Sequence, residues 1–275
     1  NVFVIPSVSV PVDAEGNPGN ANTAAPDKLI RKLRGRAFFL ISGPISVQWP
    51  AGVKPGDDLR EKAFTRALRW YADHMRSMGC DYDDYAIYLQ DEPGLLGHDA
   101  GFDAWVAQVK QFKTADPRMQ LYANPAGGGR AKLLEPVADL IDVWAPDLHL
   151  VREQPEELKK LFQRAKHYWH YEAPGDQRDL DPLGFYRVKP WVAFQQGMTG
   201  GGYWVYSSSE FWSDNPAGGT EYGTVYPADK GPVTTRRWEA SREGIQDFEL
   251  LWLVRKTAES TASPARTQAL KLVED

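Results

Sequence analysis

The stretch Tyr85-Ala86-Ile87-Tyr88-Leu89-Gln90-Asp91-Glu92-Pro93-Gly94 places two adjacent carboxylic acids behind a short apolar run and closes it with Pro and Gly. A run of this length reads as a buried strand, with the acids at its carboxyl end. Neighbouring residues on an extended backbone point to opposite faces. A turn at Pro93 brings both carboxyls toward one cleft. Two carboxyl groups sharing a desolvated cleft separate in acidity, and one of them becomes a usable general acid. Asp91 and Glu92 are therefore the candidate catalytic pair. Capping of the following helix is the plainer use of such a pair, and the position at a strand end among aromatics favours chemistry.

Other strand ends carry residues suited to the same face. They are Tyr122 and Asn124, then Trp144 and Asp147, then Tyr171 and Glu172, and finally Tyr203, Trp204, Tyr206 and Ser207. The chain is rich in aromatics, with ten Trp and twelve Tyr. Flat rings stack on the C–H faces of a pyranose, while Asn and Tyr bond hydroxyl or acetamido groups. Acids and aromatics with few cations suit a neutral polyhydroxylated ligand and not a phosphate. The candidate substrate-binding residues are Tyr122, Asn124, Trp144, Tyr171, Glu172, Trp204 and Tyr206. Trp70, Trp105 and Trp252 lie on helical apolar faces and are expected to be packing residues.

Three other features point away from metal and nucleophile chemistry. His167 and His170 have a metal-like spacing only on a helix, and on a strand their rings diverge. Cys80 sits with Asp81, Asp83 and Asp84 before a strand, on the wrong barrel face. No Gly-x-Ser-x-Gly elbow occurs, and Ala126-Gly127-Gly128-Gly129 lacks the Lys-Ser/Thr of a phosphate loop. No metal or other cofactor is expected.

The elements that must position these residues alternate. Strands read near Val2–Ile5, Phe38–Ile41, Tyr85–Leu89, Gln120–Tyr122, Leu140–Trp144, Tyr168–Tyr171 and Gly202–Tyr206. Between them Phe64, Leu68, Tyr71, Met75 and Met78 share one helical face, as do Phe102, Trp105, Val106, Val109 and Phe112. Pro155 opens a helix at its first turn. A last helix over Thr234–Ala258 turns Trp238, Ile245, Phe248 and Trp252 inward. Loops from helix to strand are short. Loops from strand to helix are long, as in Pro11–Pro26, Ser42–Asp58, Asp91–Gly101, Ala173–Gly184 and Ser207–Pro232. That asymmetry is expected of a (β/α)8 TIM-type barrel, whose site lies at the carboxyl ends of the strands. A doubly wound sheet shares the alternation, but no Gly-x-Gly-x-x-Gly turn follows the first strand. Seven strands are counted, so Val2–Ile5 takes the second place in the barrel and the first βα unit is missing. Residues 1–275 are read as one N-terminally truncated catalytic barrel.

Composition sets outer limits. The chain has 275 residues with 42% hydrophobic and 25% charged, which fits a globular domain and excludes a disordered one. A net charge of -5 without a basic block excludes the footprint of a nucleic-acid binder. One cysteine excludes a disulfide scaffold. The longest apolar runs, Phe38–Ile41 and Leu250–Val254, cannot span a bilayer. A periplasmic or secreted location is favoured.

Two stretches together carry a family resemblance. One is the strand ending in Asp91-Glu92-Pro93. The other runs from Gly200-Gly-Gly-Tyr-Trp-Val-Tyr206 through Tyr222-Gly223-Thr224 and Tyr226-Pro227 to Arg236-Arg237-Trp238-Glu239. It ends in Arg242-Glu243-Gly244-Ile245-Gln246-Asp247-Phe248-Glu249. Over roughly Tyr85 to Val254 the chain resembles the catalytic domain of glycoside hydrolase family 123 and its bacterial relatives. The resemblance implies a (β/α)8 barrel acting on an oligosaccharide or glycoconjugate. It implies a retaining exo-β-N-acetylhexosaminidase of the β-N-acetylgalactosaminidase type, in which the substrate's own 2-acetamido oxygen attacks the anomeric carbon. Such enzymes are exceptions to the two-carboxylate rule. Glu92 would be the acid/base, and Asp91 would orient the acetamido group and stabilise the oxazolinium ion. The chain also resembles retaining barrels of glycoside hydrolase clan A, in which Glu92 would protonate the leaving group and Glu172 would be the nucleophile, carboxyls ~5 Å apart. A non-catalytic carbohydrate-binding barrel is the third reading.

Overall fold

The computed structural model describes residues 2–43, 45–49, 58–95, 99–126, 131–173, 180–207, 222–260 and 265–274. They form two compact units: one runs to Pro146 and includes Leu150–Lys166, and the other holds Asp147–His149 and the residues from His167 onward. Several sequence expectations lie outside the described residues: Gly127–Gly129 wholly, and parts of the loops Ser42–Asp58, Asp91–Gly101, Ala173–Gly184 and Ser207–Pro232.

In the first unit, β1 (Val2–Pro6), β3 (Phe38–Ser42), β5 (Tyr85–Tyr88), β6 (Leu121–Ala123) and β7 (Val143–Trp144) lie side by side in chain order, all parallel. Their apolar runs are unbroken because such strands are covered on both faces. Phe39, Leu40 and Ile41 are buried in succession, as are Tyr85, Ala86 and Ile87, and Leu121, Tyr122 and Ala123. A short parallel pair, β2 (Ser9–Pro11) and β4 (Ser46–Gln48), sits apart from this sheet. Its three-residue strands are too brief to show an apolar pattern in the sequence. Strand β1 also differs from expectation, since Val2, Phe3 and Val4 are exposed and Ile5 alone is a buried apolar side chain. Among the described residues β1 is hydrogen-bonded to β3 on one side only.

Helices α1 (Ala24–Leu33), α2 (Asp58–Ser77), α3 (Ala100–Ala115), α4 (Ala131–Leu134) and α6 (Pro155–Phe162) belong to this unit, and α5 (Leu148–Glu153) straddles the division. The expected faces are buried: Phe64, Leu68, Tyr71 and Met75 on α2, and Phe102, Trp105, Val109 and Phe112 on α3. Asp99 caps α3 by accepting from the Phe102 N–H at 2.8 Å, and Pro155 stands in the first turn of α6.

In the second unit, β8 (His167–His170) pairs in parallel with β9 (Gly200–Gly201). The last strand therefore lies before Gly202–Tyr206, where the aromatic run suggested it. The glycines are required. A Cβ on Gly201 would lie 2.0 Å from Nε2 of His170, and one on Gly200 would lie 2.9 Å from the Trp169 ring. Among the described residues, the main sheet has seven parallel strands alternating with helices, the (β/α)8 TIM-type class.

The rest of the second unit packs around α8 (Arg236–Ser260), against α7 (Val188–Gln195), α9 (Arg266–Glu274) and a π-helical segment over Pro182–Arg187. Ile245 is exposed, contrary to the expected inward stripe. Trp238, Phe248 and Trp252 are partly buried, the last two against Phe194, and the buried positions are Arg237, Ala240, Ser241, Gly244 and Ala258. Small residues occupy that face because α8 meets backbone there: a Cβ on Gly244 would lie 2.5 Å from the Arg187 carbonyl oxygen. Arg187 is gripped from both sides of that glycine, by Glu243 at 3.2 Å and by Asp247 at 2.8 Å. Asp247 also accepts from the Trp191 indole N–H at 3.1 Å. The Arg187 hydrogen bond holds the Asp247 carboxyl below the ordinary carboxylate range. Gly244→Ala tests this contact. Alanine gains about 1 kcal/mol of helix propensity, while overpacking costs about 1–3 kcal/mol. The neighbour is backbone and cannot swing away, so the cost wins. The thermal midpoint should fall, whereas Ile245→Ala on the exposed side should move it far less.

Candidate active site

Strand β5 ends at Tyr88, so Asp91 and Glu92 lie on the loop beyond it and strand alternation does not govern them. Local bonds set their directions instead. Glu92 has φ 45°, a left-handed conformation that costs a non-glycine residue about 1–3 kcal/mol unless its surroundings impose it. Two hydrogen bonds do so. The Glu92 N–H donates to Oδ1 of Asn124 at 3.3 Å, and the Glu92 carbonyl accepts from the Leu95 N–H at 3.1 Å. Pro93 and Gly94, the latter at φ 86°, complete the turn.

Asn124 is almost wholly buried and serves both acids. Its carbonyl oxygen receives the Glu92 N–H, and its Nδ2 donates to Oδ1 of Asp91 at 2.8 Å. The Tyr88 hydroxyl donates to that same Asp91 oxygen. The Tyr88 ring meets Tyr122 edge to face, with centroids 4.9 Å apart. Burial pushes the Tyr88 phenol far above its ordinary pKa, and the hydrogen bond to Asp91 adds to the effect. Burial likewise raises Tyr122, helped by the Asp91 charge. Asp91 itself is exposed. The structure therefore brings Asp91, Glu92, Tyr122 and Asn124 together. It adds Tyr88, which sequence reasoning missed; the available signal was a tyrosine at the last strand position, three residues ahead of the acid.

Trp144 requires a correction. It is fully buried, its ring tilted against Phe162 with centroids 4.7 Å apart. The two-residue strand β7 sends it toward α6, where it packs and offers no open face to a sugar.

The remaining candidates lie in the second unit. Tyr171 is partly exposed, and its carbonyl accepts from the Leu148 N–H at 3.1 Å. Glu172 is buried, its carboxylate 3.4 Å from the buried Lys189 ammonium. Lys189 lies 3.8 Å from the Phe185 ring centroid, a cation–π arrangement. The Glu172 carbonyl accepts from the Trp204 N–H at 3.1 Å. Trp204 is 58% exposed. Tyr206 is also exposed, and its ring meets Trp238 edge to face at 5.1 Å. Tyr203 turns inward, its hydroxyl 3.0 Å from that of Thr224.

Parallel strands alternating with helices, with two adjacent acids just past one strand end, define the α/β-barrel class. The family model described as "Glycoside hydrolase 123, catalytic domain" matches residues 47–254, and the chain belongs to that family. Among solved structures, a family 123 glycoside hydrolase from Clostridium perfringens, described in connection with glycolipid glycan hydrolysis, has a TM-score of 0.67 at 15% identity. The match covers 99% of this chain and 54% of the other, so this chain spans about half the length of that enzyme. An endo-1,4-β-mannanase from Rhizomucor miehei follows with a TM-score of 0.48 at 10% identity, covering 88% of this chain and 86% of its own. A chitinase domain from Pyrococcus furiosus has a TM-score of 0.45 at 12% identity, covering 90% and 86%. Comparison with curated proteins finds no match. No helix among the described residues is long and apolar enough to cross a membrane.

Proposed function

We propose that the chain is a retaining exo-β-N-acetylhexosaminidase of the β-N-acetylgalactosaminidase type, working by substrate-assisted catalysis. The observation that carries this reading is the joint hold of Asn124 on both acids, which leaves Asp91 exposed with one carboxylate oxygen engaged. In the first step the carbonyl oxygen of the substrate's 2-acetamido group bonds to the anomeric carbon. The bond from that carbon to the leaving oxygen breaks, and Glu92 gives that oxygen its proton. Asp91 accepts a hydrogen bond from the acetamido N–H, which keeps its proton, and faces the positive charge of the oxazolinium ion. In the second step Glu92 takes a proton from water, the water oxygen bonds to the anomeric carbon, and the bond from that carbon to the acetamido oxygen breaks, which opens the oxazolinium ring, restores the acetamido group and gives net retention. Tyr122 and Asn124 beside the acids are the proposed sugar-binding groups of the first unit; Tyr171, Glu172, Trp204 and Tyr206 are, separately, those of the second.

The test is a panel of aryl β-glycosides with and without the 2-acetamido group. Hydrolysis is expected for the 2-acetamido-2-deoxy-β-galactoside and absent for the β-galactoside. Hydrolysis of glycosides lacking the acetamido group, abolished by Glu172→Ala and restored by azide, would replace this reading with the two-glutamate one. Sugar binding without turnover of any member would favour the binding-module reading.

A further inference from the structure

We propose that Tyr88 is a positioning residue that acts through Asp91: with Asn124 it pins one carboxylate oxygen and so reserves the other for the substrate's acetamido nitrogen. This inference deepens the substrate-assisted reading and rests on it. Both donors converge on Oδ1, the Tyr88 hydroxyl from one strand end and Asn124 Nδ2 at 2.8 Å from the next. Among the described residues nothing bonds Oδ2. A carboxylate on a loop would otherwise rotate about its Cβ–Cγ bond and exchange its oxygens. Two donors to one oxygen stop that rotation and fix the direction in which the second oxygen points. Tyr88 is itself held, edge to face on Tyr122 at 4.9 Å and by its carbonyl, which accepts from the Gly43 N–H at 2.8 Å. Its raised pKa keeps the proton on the phenol, so it remains a donor. The same oxygen-by-oxygen division explains why tyrosine stands where phenylalanine would pack equally well against Tyr122.

The experiment is a double-mutant cycle on Tyr88→Phe and Asp91→Asn, joined to a spectroscopic titration of the tyrosines. Tyr88→Phe keeps the ring and its packing. On a 2-acetamido aryl glycoside it should lower kcat by about 10- to 100-fold, the scale of one hydrogen bond to a charged group, with KM nearly unchanged. In the Asp91→Asn background the same substitution should cost little, because the group it acts through is gone. Equal losses in both backgrounds would overturn the proposal, as would a Tyr88→Phe enzyme with full kcat. The titration needs no substrate. With ring-labelled tyrosine followed by NMR, Asp91→Asn should lower the Tyr88 phenol's pKa, since a charge and a hydrogen bond are removed. An unmoved Tyr88 signal would show that the two side chains are not coupled. If the glycoside panel fails but the Tyr88 signal moves, the coupling stands and the substrate assignment alone is wrong.

Discussion

Glu92→Gln is expected to lose about 10²–10⁴-fold in kcat on glycosides with poor leaving groups, the usual contribution of general acid catalysis. Gln is close in shape to Glu and preserves the backbone bonds that hold position 92, the N–H to Asn124 and the carbonyl to Leu95. The loss should therefore report the missing proton and not a collapsed turn. It should shrink on activated aryl glycosides, whose leaving groups depart with little protonation. Steady-state kinetics across a series of aryl leaving groups measures this as a steeper dependence of rate on leaving-group acidity. A uniform loss across the series would assign Glu92 to binding or to the fold.

Asp91→Asn should behave differently. Positive charge develops on the oxazolinium whatever the leaving group, so both kinds of substrate should suffer, by about 10²–10³-fold if the loss matches that of a single preorganised electrostatic group. Asn at 91 also presents an amide that can face Asn124 Nδ2 with its nitrogen, which would break the 2.8 Å contact. Azide should not restore activity or give a glycosyl azide of inverted configuration, because no protein nucleophile has been removed. Product analysis by NMR in the presence of azide is the measurement, and an inverted azide adduct would assign the nucleophile to Asp91.

The fold class was legible because its signals are repetitive. Each strand is a short apolar run, and each helix repeats its apolar residues at three and four, as in Phe64 to Met75. Catalytic candidates were legible because Asp91-Glu92-Pro93 is a local pattern. What could not be read depends on partners distant in sequence. Trp144 looks the same in sequence whether it packs on Phe162 or faces a cleft. Tyr88 acquires meaning only through its bond to Asp91 and the approach of Asn124, which lies 32 residues from Glu92. Ile245 misled because large apolar residues normally mark the inward face, whereas here close backbone approach selects glycine and alanine. The last strand, expected over Gly202–Tyr206, lies at Gly200–Gly201.

The grip of Glu243 and Asp247 on Arg187, centred on Gly244, separates two kinds of information within one signature. Within the Arg-Glu-Gly-Ile-x-Asp pattern on α8, Glu243, Gly244 and Asp247 meet a steric and ionic demand of the second unit: both acids pair with Arg187, and Asp247 also accepts from Trp191. Asp91 and Glu92 are held by a different set of bonds, in the first unit. A substitution on α8 should therefore be felt as a loss of folding in the second unit, whereas the proposed chemistry depends on the few residues around Asn124.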